Sequence, residues 1–253
     1  MKARPIFFSL FVLLILVACQ NEPQQVSTKK VVKKPVVETV TLTNSITEKE
    51  KKEGWQLLFD GRSLDQWKGY NMEGALPKTW QAIDGEIVGR GKDNLITREQ
   101  YDDFELTLEF NLTEAANSGL FYFVKEIADQ PIYQSAPEYQ LVDNQTYLNT
   151  QGADFMHKHL TGDAFNLYDG IINPSIRHGK WYQAKIKVQN NHVEHWLNGK
   201  LCIEYDWDSE EWKELVGNSN FNKDYCANSS KGHIGLQGWG NDIRFRNIKI
   251  RRL

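Results

Sequence analysis

Cysteine is scarce in this chain: Cys19, Cys202 and Cys226 are the only three in 253 residues. They fall at no spacing that suits a metal site or a dithiol redox motif. Cys202 and Cys226 can pair in an oxidising compartment or remain two thiols, and the count leaves both open. Positive charge is also short, with 30 Lys and Arg against 33 Asp and Glu and a net charge of −3. Binding a phosphate backbone wants a clustered basic surface, so nucleic acid is not expected as a partner. No phosphate-cradling glycine loop, dinucleotide fingerprint or serine or cysteine nucleophile motif occurs, which removes support from kinase, dehydrogenase and serine-hydrolase chemistry. Long hydrophobic runs are missing too: the one from Ile6 to Val17 falls short of the roughly 20 residues a membrane-spanning helix needs.

That short run has another reading. Lys2 and Arg4 precede it, and it ends in Leu16-Val17-Ala18-Cys19, the layout of a bacterial lipoprotein signal peptide over residues 1–18. By that resemblance Cys19 becomes the acylated N-terminus. Acyl chains hold by burying methylenes at about 0.8 kcal/mol each, so the mature chain is expected to be tethered to a membrane without crossing it. The expected location is the bacterial cell envelope, periplasmic or surface-exposed. Loss of residues 1–18 leaves 28 basic and 33 acidic residues, a charge of −5. Residues 20–53 are rich in Gln, Lys, Thr, Val and Pro, lack aromatics and read as a disordered tether. The folded domain is therefore expected over residues 54–253.

Within that span strand signals dominate. Phe104, Leu106, Leu108 and Phe110 alternate with polar residues, as do Tyr182, Ala184, Ile186 and Val188, the pattern of strands with one wet face. Asn190-Asn191 and Asn198-Gly199 supply the turns of consecutive hairpins. The best helical candidate is 209–216, with Ser209 as its cap. Many strands and at most a short helix predict an all-β fold: two packed antiparallel sheets, a β-sandwich or jelly roll with long loops.

The last stretch, from Gly232 to Ile250, reads as a β-hairpin. In its first strand Ile234 and Leu236 fall on one face while His233, Gln237 and Trp239 share the other. An aromatic ring beside hydrogen-bonding groups is how proteins hold sugars. In the second strand Ile243 and Phe245 are out of phase with Ile248 and Ile250, so a bulge is expected near Arg246-Asn247. Such a bulge turns Arg246 toward a cleft or into a structural pair with a carboxylate.

Glu138 and Gln140 lie on one face of a strand whose other face carries Tyr139 and Leu141, and Asp143 ends it. A carboxylate on a strand that could be central wants solvent, a ligand or a metal. Glu138 then serves as a general base, or as an oxygen ligand to a divalent cation with Gln140 or Asp143. The long stretch from Asn144 to Ser175 contains His157, His159, Asp163, Tyr168 and Asp169, and loops of that length are often functional. His157 and His159 lack the rest of a zinc pattern and read as a solvated pair.

Several segments in order resemble the 3-keto-disaccharide hydrolase domain family, a concanavalin-like jelly roll. They are Leu58-Phe59-Asp60-Gly61 with Trp67, Trp80 with Asp84-Gly85-Glu86-Ile87, Asn117-Ser118-Gly119, Glu138-Tyr139-Gln140 with Asp143, and Leu167-Tyr168-Asp169. They continue with His195-Trp196-Leu197-Asn198-Gly199, Gly232-His233-Ile234 with Leu236-Gln237, and Phe245 to Ile250. The chain departs from the family where Gly238-Trp239 replaces Asp-His, so Trp239 offers stacking in place of a histidine.

The resemblance implies cleavage of glycosides already oxidised at C3. A C3 ketone acidifies the C2 proton; its removal gives an enolate that expels the C1 substituent, and hydration completes a formal hydrolysis. In that scheme Glu138 is base or metal ligand. Arg246 or a cation stabilises the enolate, and Tyr168 or His157 lies near the leaving group. Gln140, Gln237, Trp239 and His233 hold the sugar. The substrate is then an oxidised glycoside. The alternative is a membrane-anchored carbohydrate-binding module without catalysis, which the tryptophan replacement would suit.

Overall fold

The structure is a computed structural model that describes residues 43–170, 175–221 and 231–253. The signal segment, Cys19, residues 20–42 of the expected tether and Cys226 lie outside them. In chain order the first elements are α1 (Glu48–Lys52), β1 (Gln56–Leu57), β2 (Trp67–Gly69), β3 (Trp80–Ile83), β4 (Glu86–Gly89), β5 (Leu95–Thr97), β6 (Phe104–Leu112) and β7 (Asn117–Val124). A 3-10 turn (Ile132–Gln134), β8 (Glu138–Val142), α2 (Asn144–Gln151), β9 (Trp181–Gln189), β10 (His192–Leu197), β11 (Lys200–Asp206), α3 (Glu210–Gly217), β12 (His233–Leu236) and β13 (Ile243–Arg252) follow. Among the described residues, no helix is long and apolar enough to cross a membrane.

The strands form two antiparallel sheets, as the alternation predicts. One runs β11-β10-β9-β6-β13-β4-β3 with β1 added on β13; the other runs β2-β5-β12-β7-β8. Between them Phe104, Leu106, Phe110, Ala184, Ile186, Val188 and Phe245 of the larger sheet meet Leu120, Tyr122, Tyr139, Leu141, Ile234 and Leu236 of the smaller, all essentially without solvent exposure. Burying a large apolar side chain is worth about 1.5–3 kcal/mol, so this layer stabilises the sandwich. Asp84-Gly85, Asn190-Asn191 and Asn198-Gly199 each place both turn residues at positive φ, the conformation that matches the twist of the strands they join.

Three expectations shift. First, the stretch from Gly232 to Ile250 is not a hairpin: β12 pairs with β5 and β7, whereas β13 pairs with β1, β4 and β6 in the other sheet. The period-two pattern fits because both strands turn their apolar faces to the same core from opposite sides. The bulge is present, between Arg246 and Lys249, and lets Phe245 and Ile248 both be buried.

Second, residues 43–53 are folded rather than part of a tether. Thr47 and Glu50 close a reciprocal capping box on α1, a pattern that satisfies otherwise unpaired helix N–H groups. Asn44 and Asn247 exchange hydrogen bonds, with Asn44 N–H donating to Asn247 Oδ1 at 2.6 Å and Asn247 N–H to Asn44 Oδ1 at 2.8 Å.

Third, the described residues form three short α-helices rather than at most one. α3 begins at its expected cap, where Trp212 N–H donates to Ser209 Oγ at 3.1 Å. α2 carries almost no apolar stripe and buries only Asn144, so periodicity could not announce it.

Candidate active site

β8 is the last strand of the smaller sheet, yet all five of its residues are buried. Its outer edge is covered by a loop that copies a strand: Gln140 N–H donates to Asp163 O, Gly162 N–H to Gln140 O and Phe165 N–H to Glu138 O, at 3.0–3.1 Å. This pairing satisfies the backbone groups an edge strand would expose. Tyr139 and Leu141 point into the sandwich, so Glu138 and Gln140 point to the outer face, as the alternation predicts.

There they line a pocket of about 230 Å³. Its floor and polar wall are Glu138, Gln140, Asn117 and Gln237; Tyr133, Phe165, Phe221 and Trp239 give aromatic sides, and Gln134, Asn166 and Asn220 complete it. Among the described residues Glu138 is its one carboxyl group. Burial drives the Glu138 pKa well above the ordinary carboxylate value, because a charge without solvent is costly. The Gln140 amide, with its nitrogen toward Glu138, donates to Glu138 Oε1 and Ser118 O, each at 3.1 Å.

The far wall is held as firmly. Gln237 N–H donates to Gly119 O at 2.9 Å and Ser118 Oγ donates to Gln237 O at 2.8 Å. Gly238 N–H donates to Asn94 Oδ1 at 3.2 Å and Gly240 N–H to Gly91 O at 2.9 Å. A Cβ on Gly238 would stand 2.3 Å from Asp93 O, so only glycine lets the chain lie this close to residues 91–93. Trp239 is thereby fixed at the rim with half its surface open, a platform for an apolar ring face.

Other expected site residues are elsewhere. Arg246 lies on the outer face of the larger sheet, away from this pocket, 2.7 Å from Glu109 and 3.9 Å above the Trp181 ring; of the two outcomes expected of the bulge, the structural pair with a carboxylate is the one present. His233 is buried at the opposite end of β12, with Nε2 3.0 Å from the Gln100 amide nitrogen. It is cut off from the pocket because a small apolar cluster of Ile96, Phe121, Val124, Ile132 and Ala136 fills the face between.

Tyr168 is not in the pocket; its ring stacks on Tyr205 at 4.6 Å, and burial raises its hydroxyl to about 12. His157 is exposed and pairs with Asp169 at 3.2 Å. Asp143 does not share a site with Glu138 either. It caps α2, accepting from Thr146 Oγ1 at 2.7 Å and His178 Nδ1 at 2.8 Å. Burial pushes its pKa up, but those bonds outweigh it and hold the carboxyl below its usual value.

Among the described residues no three His, Cys, Asp or Glu side chains converge as a metal-holding group. A hard cation in this pocket would have Glu138 and amide oxygens as ligands. Asn117 Oδ1, buried and without a hydrogen-bond partner, is such an oxygen. The residues missed by sequence reasoning are chiefly the aromatic and amide walls: Tyr133, Phe165, Asn166 and Phe221. His159 is not the solvated residue expected. Its Nε2–H donates to Asn166 Oδ1 at 2.6 Å and its ring packs on Phe165 at 5.0 Å, so it positions two of the pocket's walls.

The chain is 29% identical over 232 residues to the 3-keto-disaccharide hydrolase of Bacteroides thetaiotaomicron, covering 79% of each chain. Two crystal structures from Parabacteroides distasonis, each assigned as a glycosyl hydrolase, superpose on it. One has a TM-score of 0.75 at 30% identity, covering 84% of this chain and all of the other. The second has a TM-score of 0.65 at 27% identity, covering 79% and 99%. Residues 54–251 match the 3-keto-alpha-glucoside-1,2-lyase-like domain; the chain belongs to that family and is a glycoside-cleaving enzyme.

Proposed function

We propose that the chain cleaves 3-keto-glycosides, 3-keto-disaccharides among them, by elimination and hydration, with Glu138 as the base. The observation that carries this is a buried carboxyl group, raised in pKa and the only one among the described residues of the pocket, at the floor of walls made of amides and aromatics. Direct glycoside hydrolysis ordinarily uses two carboxyl groups flanking the bond. Elimination needs one base, because the ketone has already weakened the C2–H bond.

In the proposed cycle Glu138 takes the C2 proton and the electron pair becomes an enolate with charge on the C3 oxygen. Collapse of the enolate forms the C1–C2 double bond and breaks the bond from C1 to the leaving oxygen, which departs as the alcohol with the proton that Glu138 took, so the carboxylate is restored. Water then adds across the double bond, hydroxyl to C1 and proton to C2, so the sum is hydrolysis. Asn117 and Gln237 are the amides placed to hydrogen-bond the substrate's oxygens, and Trp239 stacks on its ring. A base with a raised pKa is a stronger proton acceptor once ionised, which suits removal of a carbon-bound proton.

The test is to incubate the full-length chain in deuterated water with a 3-keto-glucoside and with its unoxidised parent. Leaving-group release and C2 deuterium uptake are expected for the keto sugar alone, and neither for Glu138→Gln. Equal release from the unoxidised parent would overturn the reading. The lipoprotein-like segment ending at Cys19 supports attachment to a bacterial envelope membrane; labelling by a fatty-acid analogue, lost in Cys19→Ser, tests it.

A further inference from the structure

Trp239 is a partition as well as a platform. On its far side Trp239, Tyr133 and Gln237 line a second lobe of about 230 Å³, completed chiefly by Lys92, Asn94 and Pro131. Two lobes that share three side chains are halves of one trough. Their chemistry differs among the described residues: the first holds the carboxyl group and no cation, the second a cation and no carboxyl group.

The Lys92 ammonium forms no ion pair with a described residue. Its neighbour Asp93 is turned away and accepts from Thr79 Oγ1 at 2.7 Å. The lysine stem passes Gly240, whose Cβ position lies 3.8 Å from Lys92 Cε. The backbone around it is fastened by the bonds from Gly238 and Gly240 and by Trp80 Nε1–H donating to Asp93 O at 2.8 Å. The cation therefore stands on a fixed loop beside an aromatic-walled hollow.

We propose that this second lobe is the leaving-group subsite and that Lys92 makes it favour leaving groups bearing an anionic substituent. The inference rests on the elimination reading above. Glu138 must meet C2, so the substituent on the adjoining C1 extends out of the first lobe, and the hollow past Trp239 adjoins it. Tyr133 and Trp239 offer ring faces to a cyclic leaving group, and Asn94 and Gln237 offer polar contact. With no carboxylate among the described residues of the lobe to neutralise it, the ammonium attracts a carboxylate, sulfate or phosphate on that ring.

The experiment compares two 3-keto-glucosides of the same shape, one of 4-hydroxybenzoate and one of 4-hydroxybenzamide, on the full-length chain. Ratios between variants cancel the intrinsic difference in leaving ability. Lys92→Met is expected to lower kcat/KM for the carboxylate probe about two- to fivefold more than for the carboxamide, mainly through KM. Lys92→Arg restores the preference. About 1 M salt, with a Debye length of about 3 Å, abolishes it in the wild type. Lys200→Met, exposed at the edge of the larger sheet, is the control. Equal effects of Lys92→Met on both probes, with wild-type turnover intact, would overturn the subsite assignment alone. Failure of the wild type to cleave either probe would overturn the elimination reading and this one with it.

Discussion

The carboxyl group of Glu138 lies over Gly119 on the neighbouring strand: a Cβ on Gly119 would stand 2.1 Å from Oε1 and 2.6 Å from Cδ of Glu138. The base therefore occupies space that only a missing side chain leaves open. Gly119→Ala is expected to displace the carboxyl group and lower kcat about 10- to 100-fold, since misplacement near 1 Å costs that much. Crowding is expected to cost about 1–3 kcal/mol. Steady-state kinetics beside a thermal melt checks both.

Glu138→Gln is expected to lower kcat by about 10²–10⁴ while the fold survives. Burial raises this carboxyl above its ordinary value of 4.5, so wild-type kcat/KM should rise with pH along a limb that lies above that value. The stability sign is the reverse. The neutral form is favoured in the folded state, so its contribution is full at low pH and fades as pH rises through the folded pKa. Denaturant melts from pH 4 to 8 should show that decline in the wild type and a smaller one in the glutamine variant.

Asp163 anchors the loop that covers β8, accepting from Leu160 N–H and Gly170 N–H, both at 2.8 Å. Burial raises its pKa from 3.8 to about 6. Its neutral form likewise favours folding, and about 3 kcal/mol should be lost between pH 4 and 6. Asp163→Asn is expected to remove that slope, read as the difference between the two proteins' stability–pH curves. No such difference in slope would refute the assignment.

Arg246→Met is expected to leave turnover within about twofold of wild type and to cost about 1 kcal/mol of stability. The arginine holds Glu109 and Trp181 on the sheet remote from the pocket, and partly exposed pairs are worth little. A hundredfold loss of kcat with a normal melt would put it back in the reaction.

Trp239→Ala should raise KM about 5- to 20-fold, the loss of one ring-stacking contact, with no change in melting temperature. The side chain is 50% exposed and supports no core. Isothermal titration with an unreactive substrate analogue separates binding from chemistry.

The parts of this molecule legible in the sequence are those with a local cause. Period-two alternation identified β6 and β9, paired left-handed turn residues identified the hairpins, and the phase change at Arg246-Asn247 identified the bulge. The same logic put Glu138 and Gln140 on one face. It misread β12 and β13 as partners because alternation reports which face is buried and not which strand lies beside it. The same limit misplaced His233, since one strand face runs from the pocket to a separate apolar cluster. Residues on loops, such as His157, Tyr168 and the unannounced Tyr133 and Phe165, are placed by long-range packing that no spacing encodes. Trp239 suited a binding module as well as an enzyme, and family membership decides for the enzyme.

The reciprocal amide pair of Asn44 and Asn247 lies on the larger sheet, whereas Glu138 opens on the outer face of the smaller one. Tension applied through the chain ahead of residue 43 would thus load the bulge of β13 and, through the Asn44 amide on Gly85 O, the turn between β3 and β4. The sandwich core stands between that attachment and the pocket, so the strand that would take the load and the face that carries Glu138 belong to different sheets.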